Sequence, residues 1–148
     1  MAWLPPVTDR QLRGWAIFFA ITMCAVVASG WVPGWYTWEN GERMLFGLFM
    51  MSPLDDITHG VTALAFVWAA VSGQPRHMRL VSTAFGWYYA LDAVFFLLYG
   101  AVNDKPWVAD LALNAPHVGI SAILLYLAYA PRAASGARAA DPVLRPVA

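Results

Sequence analysis

Charge is what this sequence has least of. Only 12% of its 148 residues are charged, against about 25% in a typical soluble domain. An ordinary soluble fold is therefore excluded before any motif is read. The formal net charge is zero, which removes a global electrostatic case for binding nucleic acid. Cysteine is almost absent. The single Cys24 lies in an apolar run and cannot form an intrachain disulfide. No Cys-x-x-Cys-His occurs, so covalent c-type haem is excluded. The chain also lacks a nucleophile elbow, a His-Glu-x-x-His pair and a phosphate loop. The hydrolase and phosphoryl-transfer classes lose their signatures with them, and a non-catalytic protein is expected.

What the chain has instead is apolar and aromatic. Hydrophobic residues make up 60% of it, with eight tryptophans and six tyrosines, and the mean hydropathy is +0.54. Amphipathic rings sit well at the headgroup level of a bilayer. About twenty residues of helix cross a hydrocarbon core of about 30 Å. Four runs meet that length, at about 14–32, 53–72, 80–99 and 108–130. The first is long for a signal-peptide core and reads as a signal-anchor helix. Met44 to Met51 is apolar but too short to span, and is expected to form a short interfacial or re-entrant helix before span two. Gly73 to Arg79 is expected as a short basic turn, and Pro116 either kinks span four or resets its start. The tail from Pro131 to Ala148 is Ala-, Arg- and Pro-rich.

Basic residues give an orientation. Arg10, Arg13, Arg76, Arg79, Arg132, Arg138 and Arg145 fall on one side of these spans, and only Arg43 and Lys105 on the other. The positive-inside rule then places both termini in the cytoplasm. The expected fold class is all-α: a single-domain, integral membrane four-helix bundle of the bacterial inner (cytoplasmic) membrane, N-in and C-in.

Within these spans the polar residues cluster at two openings. Ser52-Pro53-Leu54-Asp55-Asp56-Ile57-Thr58-His59-Gly60 begins span two, and Asn114-Ala115-Pro116-His117 lies early in span four. Ser52 is a good N-cap, Pro53 fits the first helical position, and Asp55 stands at capping-box distance. Asp56 to His59 aligns with Asn114 to His117 at a spacing of 58 residues. A Gly and a small hydroxyl residue follow both histidines. The echo suggests two helical hairpins related by duplication, with their histidines at matching depth.

These openings resemble those of an uncharacterised family of small four-span bacterial membrane proteins, in which span two opens on an Asn/His-rich segment ending in His and span four on Asn-x-x-His. The resemblance covers roughly residues 48–129. Here Asp55 and Asp56 stand where that pattern has a second histidine, so metal chemistry is not part of what the resemblance implies. The resemblance implies a four-span fold and carries no activity.

Ionisable groups in spans are costly and usually face the bundle interior. Asp55, Asp56, His59, Thr62 and Phe66 can share a face of span two; Asp110, Asn114, His117 and Ser121 one of span four; and Tyr88, Tyr89, Asp92 and Tyr99 lie near one another on span three. Three polar stripes can thus converge in the outer half. One reading is structural: Asp92 bonds to one or both histidines as interhelical glue. A second is a cofactor site. His59 and His117 would bind haem b or a chlorophyll-type pigment, or would hold a divalent metal together with Asp92, Asp55 and Asp56. A third is proton or ion handling along Asp55/Asp56, His59 and Asp92. Phe18, Phe19, Phe85, Trp87, Tyr88, Phe95 and Phe96 exceed what four short spans can bury among themselves. Small size, aromatic faces and missing catalytic motifs together give the leading expectation: a non-catalytic accessory subunit of a larger bacterial membrane complex, energy-transducing or pigment-bearing. Its partners would be the lipid bilayer and other membrane protein subunits, and no nucleic acid. The alternative is a metal- or haem-binding membrane protein using His59 and His117.

Overall fold

The computed structural model describes residues 4–39, 41–102 and 107–133. Four helices, each long and apolar enough to cross a membrane, make up most of it. They are α1 (Asp9–Ser29), α2 (Pro53–Ser72), α3 (Pro75–Val102) and α4 (Trp107–Tyr129). No more than 28% of each apolar stretch is buried, so most of each helix faces outward. The polar loop that the sequence predicts from Gly100 to Trp107 is shorter, since α3 runs to Val102 and α4 begins at Trp107; residues 103–106 and the tail from Ala134 onward lie outside the described residues.

Local chemistry sets the helix starts. Thr8 caps α1 through a reciprocal box with Gln11. Ser52 caps α2, with Pro53 in the first turn and the Asp55 carboxylate accepting from the Ser52 amide at 2.8 Å. Gly73, at φ 63°, ends α2 in the left-handed conformation that costs glycine least. Pro75 begins α3 two residues later. The expected basic turn therefore shrinks to Gly73-Gln74, and Arg76, His77 and Arg79 belong to the helix. His77 is held there by Ser72 and the Trp68 ring, and Arg79 by the last carbonyls of α4, so these polar residues find partners within the helical bundle. α4 continues through Pro116.

The expected interfacial helix at 44–51 does not form. Between α1 and α2 the chain builds a three-stranded antiparallel meander: β1 (Tyr36–Glu39), β2 (Glu42–Leu45) and β3 (Phe49–Met50). Tyr36 pairs with Leu45 and Trp38 with Arg43, and Leu45 then pairs with Phe49. Two positive-φ positions, Phe46 at 54° and Gly47 at 67°, make the turn between β2 and β3, closed by the Leu48 amide donating to the Leu45 carbonyl at 3.0 Å. The apolar run could pair as strand because the preceding Tyr36, Thr37 and Trp38 offer aromatic and β-branched partners. Arg43 and Leu45 face inward and are buried, the period-two pattern of a strand.

The bundle is two hairpins. α1 packs along α2, and α3 along α4, with lesser contact between α2 and α3 and between α1 and α3. Leu12, Ala16, Phe19, Ala20 and Met23 form the inner stripe of α1, and Phe19 stacks on Phe66 of α2 at 5.1 Å. Gly86 lets α3 and α4 come close: a Cβ there would lie 3.0 Å from Leu125 Cδ2 and 3.1 Å from its backbone nitrogen. Small residues serve this purpose between membrane helices. At the end that carries both termini, the strand-like segments after α4 and before α1 join. Val7 donates to the Pro131 carbonyl at 2.8 Å and accepts from the Ala133 amide at 3.1 Å. Arg132 forks onto Asp9 at 3.0 and 2.5 Å, which holds its guanidinium above its ordinary pKa. Arg79 donates to the carbonyls of Ala128 and Ala130, closing the C-terminus of α4. At the opposite end, below the meander, α1 and α4 stand apart and leave a cavity.

Candidate functional site

The cavity measures about 450 Å³ and has walls from α1, the meander, α2 and α4. Met23, Val26, Leu45 and Ile120 are among the apolar groups on these walls, and the polar ones include His59, His117 and Asp55. A pocket of this size, mostly apolar with a few convergent polar groups, has the general character of a small-molecule site.

Each polar group reaches it from its own element. Asp55 sits in the first turn of α2, where capping also engages its carboxylate. His59 follows one turn later on the same face. Its Nδ1 is buried with no side-chain partner, one turn from the Asp55 backbone. His117 comes from α4, one residue after Pro116. Its Nδ1 lies 2.8 Å from Asp92 Oδ2 of α3, and both side chains are about three-quarters buried. This contact joins α3 to α4 beside the cavity.

Tyr89 joins the two histidines. It is 2% exposed, and its ring stacks on His117 at 5.4 Å and on His59 at 6.5 Å between centroids. Thr62 spends its hydroxyl proton on the Thr58 carbonyl at 2.8 Å. It therefore accepts from Tyr89 at 3.1 Å. The phenol also lies 3.8 Å from Met23 Sδ. Tyr89 thus connects α1, α2 and α3 behind the cavity wall and fixes the level of both imidazoles.

The expected convergence of three helices is present, with a different division of labour. Asp92 meets His117, not His59. Asp56 turns away from both histidines and pairs with Arg43 of β2, beside a different cavity. Asn114 and Ser121 are buried, whereas the side chain of Asp110 lies outside the described residues. Among the described residues, no three His, Cys, Asp or Glu side chains gather closely enough to hold a metal ion. Of the aromatic set, Phe19 is buried and Phe85 half-buried, while Phe18, Trp87, Tyr88, Phe95 and Phe96 are exposed.

Sequence reasoning misses two residues that shape this end of the bundle. Arg43 stands in a segment expected to be interfacial, and its ion pair crosses from strand to helix. Tyr89 was placed near Asp92, but its contact with both histidines needs the packing of three helices. A signal for the meander does exist: Asn40-Gly41 is a strong hairpin dipeptide.

No protein-family model matches the chain, and no curated protein or solved structure is significantly similar to it. The functional reading therefore rests on the geometry of the site.

Proposed function

We propose that this protein is a multi-pass membrane protein that binds an apolar small molecule bearing a polar head, in the cavity between α1 and α4. His59 and His117 meet the head, and the apolar walls hold the body. One observation carries this reading: two imidazoles from two helices line one apolar cavity at the level of the Tyr89 ring, and His59 Nδ1 is buried there with no side-chain partner. Two imidazoles set at matching depth in otherwise apolar walls are accounted for by a ligand with a polar head. The arginine distribution supports an inner-membrane location with the termini in the cytoplasm and the cavity in the outer half.

The test is purification from native membranes in mild detergent, followed by organic extraction and mass spectrometry. Wild-type protein is expected to carry a near-stoichiometric apolar molecule, and the His59→Phe/His117→Phe variant to lose it with its helices intact. Equal recovery from both, or none from either, would sink the proposal.

A tetrapyrrole is a second reading, favoured by Asp92. A carboxylate behind an imidazole is the usual support of a metal-ligating histidine, and Asp92 stands 2.8 Å behind His117. A Soret band in the purified protein selects this version; its absence, with an organic molecule still recovered, removes it. An accessory-subunit role draws on the exposed face of α3, where Leu91, Val94, Phe95, Leu98 and Val102 stand outward. Lipid covers such a face equally well, so the cavity carries the functional reading.

A further inference from the structure

A second cavity, of about 480 Å³, shares Met51 as a wall with the first and opens beside the N-terminus of α2. Its walls are of another kind. Trp31, Tyr36 and Trp38 surround it, with Arg43 and Asp56 behind. The Tyr36 and Trp38 rings stand almost perpendicular, at 87° and 6.3 Å between centroids. The Arg43 guanidinium carbon lies 4.7 Å over the Trp31 ring. Trp31 and Trp38 are about two-thirds exposed, while Arg43 is 93% buried by its exposure of 7%.

The π faces of Trp31, Tyr36 and Trp38 are electron-rich, and such faces attract cations, quaternary ammonium groups above all. Trp31 already receives one cation in this way. Arg43 and Asp56 neutralise each other, so the site as a whole favours neither a simple cation nor a simple anion. Both remain under-used: Arg43 Nε and Asp56 Oδ1 are buried without hydrogen-bond partners. A zwitterion answers this arrangement. Its cation is drawn to the rings and Asp56, its anion to Arg43, and a small rotation of either side chain brings the unused atoms to it. A further feature identifies the rest of the ligand. Leu54, Ile57, Val61 and Leu64 lie at helical spacing on α2 and are 52–71% exposed. This apolar stripe begins at the mouth of the cavity, where Ile57 is itself a wall, and runs along the span.

We propose that the Trp31/Tyr36/Trp38 box binds the headgroup of a zwitterionic phospholipid: the ammonium among the rings, the phosphate at Arg43, and the acyl chains along Leu54 to Leu64. The proposal is independent of the histidine cavity. It also differs from an unspecific aromatic belt, which anchors in any bilayer regardless of headgroup.

The experiment uses the full chain in maltoside micelles, delipidated, with thermal unfolding and titration as readouts. Short-chain phosphatidylcholine and phosphatidylethanolamine are expected to raise the midpoint by several degrees, and phosphatidylglycerol of the same chain length to leave it unchanged. Trp38→Leu, which keeps an apolar side chain at an exposed strand position, is expected to weaken phosphatidylcholine binding at least tenfold while its far-ultraviolet circular dichroism and unliganded midpoint stay near wild type. His59→Phe/His117→Phe is expected to leave it intact. Soluble glycerophosphocholine, which lacks the chains, should bind at least tenfold more weakly than the lipid. Equal stabilisation by phosphatidylglycerol, or full binding by Trp38→Leu, would overturn the headgroup site. Equal binding of glycerophosphocholine would overturn the lipid as its occupant.

Discussion

The two ends of this bundle are built differently. At the end carrying the termini, polar groups meet partners: Val7 with Pro131 and Ala133, Arg132 with Asp9, Arg79 with the last carbonyls of α4. α1 and α4 are joined there. At the meander end they stand apart around a cavity. Four of the six buried side-chain atoms without a hydrogen-bond partner among the described residues lie at the meander end: Arg43 Nε, Asp56 Oδ1, His59 Nδ1 and His117 Nδ1. The same four helices thus supply a closed structural end and an open end with unused polar capacity. The other two atoms, Arg79 Nη2 and Ser82 Oγ, lie toward the closed end. The four at the meander end belong to residues that line the two cavities or, for Arg43 and Asp56, bridge strand and helix beside one of them, which is the arrangement the proposed binding end calls for.

The largest effects should come from the groups that hold the open end in shape. Tyr89→Ala removes a buried ring shared by three helices and is expected to cost about 3–5 kcal/mol, read as a lowered unfolding midpoint in micelles. Tyr89→Phe keeps the ring and loses only the phenol's bonds, at about 1 kcal/mol. Equal losses from the two would show that the hydroxyl, not the stacking, organises the site.

Next comes the strand-to-helix ion pair. Arg43→Met strands the half-buried Asp56 and should cost about 3 kcal/mol, much of it recovered in Arg43→Met/Asp56→Leu. A double variant as unstable as the single would mean that the meander is held by other contacts. Gly86→Ala probes the α3/α4 seam instead. A Cβ 3.1 Å from the Leu125 backbone should destabilise by about 1–3 kcal/mol without altering ligand recovery. The smallest effect is expected from the termini. Arg132→Ala breaks an exposed fork to Asp9, and exposed ion pairs contribute little. The midpoint should barely move, because the Val7 backbone bridge remains. A large drop would make the side chains, rather than the backbone, the fastening.

Much of this was legible in the sequence, for reasons that can be named. Hydropathy marked all four spans, and Ser52, Pro53 and Asp55 set the start of α2 because capping is local chemistry. The depth of His59, Asp92 and His117 followed from helix rise alone. Which carboxylate meets which histidine did not, because rotation of each helix about its axis is decided by packing. Asp55 and Asp56 are adjacent in sequence yet serve different cavities, since neighbours on a helix point about 100° apart. The meander was misread because a short apolar run has the same composition in strand and in helix. Its deciding features were Asn40-Gly41, Gly47 and the aromatic partner strand.

Three histidines make the comparison of the two ends directly measurable. His59 and His117 line the cavity at the open end. His77 sits at the closed end, with Nδ1 2.9 Å from Ser72 Oγ and its ring 4.3 Å from that of Trp68. Selective ¹⁵N-histidine NMR of delipidated protein, recorded before and after adding the organic extract of native membranes, reports on all three at once. Binding in the cavity predicts that the ring nitrogens of His59 and His117 shift while those of His77 stay in place. No shift at either cavity histidine, or an equal shift at all three, would contradict it.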